Sequence, residues 1–97
     1  MHCIWKIDFY KNDNYTESNY VMSLNKKGLI NFIPKKDMLI EIDNRIGSFN
    51  IQKIKYNIKK GYLYIILTKN LSTIENMDKE KYFNILKEND FIRYSID

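Results

Sequence analysis

The chain has 97 residues, with 16 Lys and Arg against 12 Asp and Glu, a formal net charge of +4 and a pI of about 9.1. That length supports one hydrophobic core and excludes two, and no apolar run approaches the roughly 20 residues that cross a bilayer as a helix. The amino terminus lacks a signal-peptide layout and Cys3, the only cysteine, excludes an internal disulfide, so residues 1–97 are expected to form one cytoplasmic domain with no membrane partner.

All but two of the basic residues are lysine, Arg45 and Arg93 being the exceptions, and the chain contains no alanine. AT-rich codons produce such a bias, so the positive balance alone does not name an acidic partner.

Trp5, Ile7 and Phe9 alternate with Lys6, Asp8 and Tyr10, which predicts a first strand with one buried face. Lys11 to Asn19 is polar and reads as a loop. Tyr20, Met22 and Leu24 resume the alternation, Lys26-Lys27-Gly28 predicts a turn, and Ile30 with Phe32 complete a hairpin. Pro34, without a backbone donor, ends that strand or marks an edge. Met38, Ile40 and Ile42 then alternate with Leu39, Glu41 and Asp43, so the amino-terminal two-thirds is expected to be a meander.

The clearest pattern follows. Phe49, Ile51, Ile54, Tyr56 and Ile58 run into Lys60-Gly61 and return as Leu63, Ile65 and Leu67, a hairpin with one apolar face. A two-residue turn at Lys60-Gly61 would set Ile58 opposite Leu63, Tyr56 opposite Ile65 and Ile54 opposite Leu67. Phe49 and Ile51 are out of phase with Ile54, Tyr56 and Ile58, so an extra residue near Gln52 or Lys53 predicts a β-bulge, which bends a sheet toward a curled or barrel-like form.

After Thr68 the period changes. Ser72 with Glu75 suggests a capping box and Asp78 a later N-cap, while Tyr82, Ile85 and Leu86 fall at helical spacing, predicting one helix within residues 73–88 that Asn89-Asp90 stops. Phe91 to Ile96 reads as a short final strand. The expected class is α+β: a small twisted antiparallel sheet or barrel-like meander of about five to six strands, one C-terminal helix and a short last strand.

Pro34-Lys35-Lys36-Asp37, then Leu39-Ile40-Glu41-Ile42, then Phe49-x-Ile51-x-x-Ile54-x-Tyr56 resembles the small β-barrel proteins common among uncharacterised phage genes, with Lys36-Asp37 where Gly-Asp is more usual. The resemblance covers about a third of the chain. It implies a compact module from a phage or mobile element, a class in which inhibitors of host defence and adaptors are frequent, and it carries over no functional residue.

No catalytic or cofactor motif stands out, and no cofactor is expected. His2 is the only imidazole, and on a strand it points away from its neighbour Cys3, which argues against a shared proton. Glu41 and Asp43 share an expected strand face near Asp37, but nothing fixes further ligands for a metal. Gly28, Gly47 and Gly61 are isolated and form no phosphate loop.

One constellation rises above this background. On the outer face of the long hairpin, the expected register places Lys53, Lys55, Asn57 and Lys59 beside Tyr62, Tyr64 and Ile66, with Lys60 at the tip. Lysines alternating with rings and one aliphatic side chain suit an acidic protein partner, or single-stranded nucleic acid, through phosphate contacts and base stacking. The first expectation is therefore a non-enzymatic module that binds a host protein, with nucleic acid as the alternative and homodimerisation through exposed sheet edges as a further mode. A helix packed over this face would return the lysines to ordinary surface charge.

Overall fold

In a computed structural model, residues 1–74 and 78–93 are described. Among them five strands form one sheet: β1 (His2–Tyr10), β2 (Tyr20–Leu29), β3 (Leu39–Glu41), β4 (Ser48–Asn57) and β5 (Tyr62–Asn70). They lie in the order β2-β1-β5-β4-β3 and curl into half a barrel, followed by the helix α1 (Lys79–Glu88). The α+β class and the curled sheet stand as expected.

The meander does not. β1 and β5, at the centre of the sheet, run parallel, with Cys3 opposite Leu63 and Tyr10 opposite Asn70. The fold is thus an antiparallel pair, β1 and β2, set beside an antiparallel triplet, β3 to β5. Alternation reports which face a residue occupies but not which distant strand lies beside it.

The turn expected at Lys26-Lys27-Gly28 is also absent. β2 runs straight through to Leu29 and pairs with β1 from His2↔Leu29 to Phe9↔Met22. Gly28 lies opposite Cys3, and a Cβ there would sit 3.2 Å from Trp5 Nε1, so glycine lets the indole approach closely without having to shift. Ile30 and Phe32, expected in a returning strand, instead begin the irregular connection to β3, where the Ile30 amide donates to the Met1 carbonyl at 3.0 Å.

The β4–β5 hairpin forms with its register moved by two residues. Tyr56 pairs with Leu63 and Ile54 with Ile65, and Ile58, Lys59, Lys60 and Gly61 make a four-residue turn. Asn57 explains the choice: its carbonyl accepts from the Gly61 amide at 2.8 Å and its Oδ1 from the Lys60 amide at 3.0 Å. Gly61 has φ +73°, the left-handed region that glycine enters without strain. A shift of two leaves every strand residue on its expected face, but it moves Ile58 out of the sheet to 87% exposure. The expected bulge is present, between Ile51 and Lys53.

The inner face carries the core. Cys3, Ile7 and Phe9 of β1, Leu63, Ile65 and Leu67 of β5, and Phe49 and Ile51 of β4 are buried with Leu24 against Ile74, Tyr82, Ile85 and Leu86. Burial of each such aliphatic side chain contributes about 1.5–3 kcal/mol. Phe9 meets Tyr82 and Phe83 edge-on, so α1 sits on this inner face.

Local chemistry sets the ends of α1. Asp78 caps it by accepting from the Glu80 amide at 3.0 Å, and Asn89 and Asp90, the latter at φ +69°, stop it as expected. Of the expected capping box, Glu75 lies outside the described residues, and Ser72 instead donates its amide and hydroxyl to Asn70 Oδ1. Arg45 bridges Asp43 at 2.8 Å and Glu88 at 2.9 Å, tying the last turn of α1 to the loop before β4. The expected final strand reduces, within the described residues, to a single bridge between Ile92 and Asn25 on β2; residues 94–96 lie outside them. No described helix is long and apolar enough to cross a membrane.

Candidate functional site on the outer face

The face opposite α1 is assembled row by row from the pairing of four strands. One row reads Lys27, Ile4, Tyr64, Lys55; the next Asn25, Lys6, Ile66, Lys53; the next Ser23, Asp8, Thr68, Asn50. The curl makes this face a trough of about 630 Å³, whose lining includes Ile4, Lys6, Asn25, Lys55, Tyr64 and Ile66. Ile4 lies at the base of the trough, 1% exposed yet on the side of the sheet opposite the helix-covered core.

In these rows four lysines (Lys6, Lys27, Lys53, Lys55) stand against one carboxylate, Asp8. That carboxylate is already engaged, by Lys6 at 3.6 Å and by the Ser23 hydroxyl at 2.5 Å. Tyr20 Oη lies 2.6 Å from Ser23 Oγ, extending the network toward the rim. Tyr10, packed against Tyr15 and Tyr20, has its hydroxyl pKa raised by burial and by the Asp8 charge, so it remains neutral. Arg93 also lines the trough and adds positive charge. The electrostatic character is that of a surface for acidic groups.

Lys53, Lys55, Asn57, Tyr62, Tyr64 and Ile66 share this face, as the alternation indicated, and α1 does not cover them. Lys59 and Lys60 do not join the rows. The four-residue turn carries Lys59, expected beside Tyr62, to the tip of the hairpin together with Lys60. The rings are partly committed: Lys27 Nζ lies 5.8 Å from the centroid of Tyr62, and His2 meets the same ring edge-on at 6.4 Å.

Half of the trough was missed from the sequence. Ile4, Lys6, Ser23, Asn25 and Tyr20 belong to β1 and β2, which reach the long hairpin only through the parallel β1–β5 pairing. The polar phase of β1, with Lys6 and Asp8, was visible, but its neighbour was not.

The other candidate chemistry separates in space. Cys3 is fully buried on the inner face, where burial pushes its thiol pKa up, while His2 stands exposed on the other side. Asp43 does not share a strand face with Glu41, because β3 ends at Glu41. The Asp43 carboxyl is instead held well below the usual carboxylate range by hydrogen bonds from Arg45 and Asn89. Among the described residues no group of three or more His, Cys, Asp or Glu is placed to hold a metal ion.

No family model, no curated protein and no solved structure matches this chain.

Proposed function

We propose that the chain is a non-enzymatic binding module, phage or mobile-element encoded as its resemblance implies, that holds an acidic segment of a host protein in the outer trough and inhibits by occupying it. The observation that carries this is the position of α1: the helix closes the inner face and leaves the basic trough open. Lys6, Lys27, Lys53 and Lys55 offer charge for carboxylates, Asn57 offers a side-chain amide, and Ile66 with Tyr64 supplies apolar contact. Solvent-exposed pairs contribute only about 0.2–1 kcal/mol each, so the charges act mainly on encounter rate and partner choice. A host-protein target places the module in the cytoplasm.

Single-stranded nucleic acid is the second reading, favoured by the direct cross-strand pairing of Tyr64 with Lys55. The protein reading is preferred because Tyr62 is already engaged by Lys27 over its ring and by His2 edge-on, and because bidentate arginine contacts, the commonest base readout, have a single candidate in the trough, Arg93.

The discriminating experiment titrates the protein against a fluorescent oligoglutamate peptide and a single-stranded oligonucleotide of equal charge, at low and physiological salt. Lys6→Glu with Lys55→Glu is run alongside. Preference for the peptide, lost in the double variant, is expected. Preference for the oligonucleotide with a steep salt slope would replace the protein reading by the nucleic-acid one, and binding of either probe unaffected by the double variant would remove the trough from the account.

A further inference from the structure

β4 runs on past the strand that covers its far edge, the one away from β5. β3 pairs with Ser48 to Asn50 only. The cover ends one residue later, where the Ile51 amide donates to the Met38 carbonyl at 2.9 Å and the Ile51 carbonyl accepts from the Asp37 amide at 2.8 Å. The Met38 amide donates to the Lys35 carbonyl at 3.1 Å, a turn that takes the preceding chain off the line of β3. β4 continues alone on this side to Asn57.

The Asn57 carbonyl accepts from the Gly61 amide at 2.8 Å, so it points toward the returning strand. Residues of an antiparallel ladder bond alternately to one neighbour and the other. Lys53, Lys55 and Asn57 therefore direct their amides and carbonyls to β5, and Ile54 and Tyr56 direct theirs away from it. Among the described residues no backbone hydrogen bond meets Ile54 or Tyr56 on that side. The side chains alternate as well: Ile54 and Tyr56, opposite Ile65 and Leu63, belong to the inner face, while Lys53 and Lys55, opposite Ile66 and Tyr64, belong to the outer one. An apolar hollow of about 430 Å³ lies against the same stretch, bordered by Ile54 and Tyr56 and by Phe32, Ile33 and Pro34 of the connection. Asp37 belongs to the covered part of the edge, at Ile51.

We propose that a short extended peptide of a partner protein adds to this edge as a further strand, its backbone bonding to Ile54 and Tyr56 and its side chains alternating between aliphatic and acidic. Residues directly opposite each other in a sheet share a face. Those set against Ile54 and Tyr56 enter the hollow, and those set against Lys53 and Lys55 bring carboxylates to the lysines. Strand addition of this kind takes affinity from main-chain hydrogen bonds and specificity from alternate side chains. A second copy of the chain is a poor occupant. Two-fold antiparallel pairing of these edges would set Ile54 against Tyr56 of the other copy and Lys55 directly against its own equivalent, a like-charge pair that destabilises a sheet. The proposal does not depend on occupancy of the trough, from which it uses only Lys53 and Lys55.

The test titrates the purified protein with a Glu-Ile-Glu-Ile-Glu peptide, with the same peptide N-methylated at both isoleucines, and with a glutamate-only peptide of equal charge, while NMR follows amide hydrogen exchange at Ile54 and Tyr56. N-methylation removes the donors that face β4 and keeps every side chain, so the protein itself is unaltered. The alternating peptide is expected to bind about tenfold or more tighter than the glutamate peptide, to slow exchange at Ile54 and Tyr56 by about tenfold or more, and to lose its advantage on N-methylation. Equal binding of the N-methylated peptide, or unchanged exchange at both amides at saturation, would overturn the proposal. Failure to bind the alternating peptide would also overturn it, and capture of the glutamate peptide in that case would leave the trough reading standing. A concentration-dependent dimer in which both amides are already protected would overturn it too, by showing that a second copy fills the edge.

Discussion

Tyr82 offers a test whose sign is unusual for a core substitution. Its side chain is fully buried, its ring packs edge-on against Phe9 and Phe83, and its hydroxyl has no hydrogen-bond partner among the described residues. Burial accordingly pushes the phenol pKa well above its ordinary value. An unmet buried hydroxyl costs about 1–3 kcal/mol, whereas deleting one oxygen leaves a void no larger than a methyl group, which costs about 1 kcal/mol. Tyr82→Phe keeps the ring contacts, so the two terms leave a net gain of about 1 kcal/mol, equivalent to about 4–8 °C in Tm for a domain of this size. Urea unfolding measures it directly, the midpoint rising with the slope unchanged. A loss of about 1 kcal/mol or more would refute the reasoning, since it would mean that the hydroxyl is hydrogen-bonded in the folded protein.

The register of the long hairpin predicts opposite fates for two isoleucines: Ile65→Ala, in the core, should cost about 2–5 kcal/mol, while Ile58→Ser, in the turn, should change stability by less than about 0.5 kcal/mol. A large loss at Ile58, read by urea unfolding, would restore the two-residue turn. Gly61→Ala should destabilise by about 1–2 kcal/mol, because φ +73° is unfavourable for a residue with a Cβ, and an unchanged midpoint would contradict that turn geometry. The folded-state pKa of Asp43 is depressed, chiefly by the Arg45 hydrogen bond. The stability it contributes is therefore present above its unfolded value, about 3.9, and lost as pH falls toward the lower folded one. Asp43→Asn should flatten the acid limb of a midpoint-against-pH curve, and an acid limb as steep as that of the parent would remove the Arg45 tie.

What could be read in advance was whatever depends on near neighbours. The alternation of Ile54, Tyr56, Leu63 and Ile65, the phase break at Gln52 and the helical spacing of Tyr82, Ile85 and Leu86 are local signals, and each has its counterpart in the fold. The misreadings have specific causes. Gly28 suggested a turn because glycine usually marks one, but here it makes room for Trp5. Lys60-Gly61 suggested the shortest turn because the side-chain bond from Asn57 to the Lys60 amide left no trace in the pattern. The parallel pairing of β1 with β5 joins residues about sixty positions apart, so the hairpin half of the trough was legible and the Ile4, Lys6 and Asn25 half was not.

The central claim is that the basic trough opposite α1 is the face that meets the partner. Amide chemical-shift mapping with the oligoglutamate peptide tests it most directly, because every strand reports separately. The account predicts shifts confined to the outer rows, at Ile4, Lys6, Asn25, Lys55, Tyr64 and Ile66, with the amides of Lys79–Glu88 unmoved. Shifts centred on α1, or none at the outer rows at saturating peptide, would contradict it.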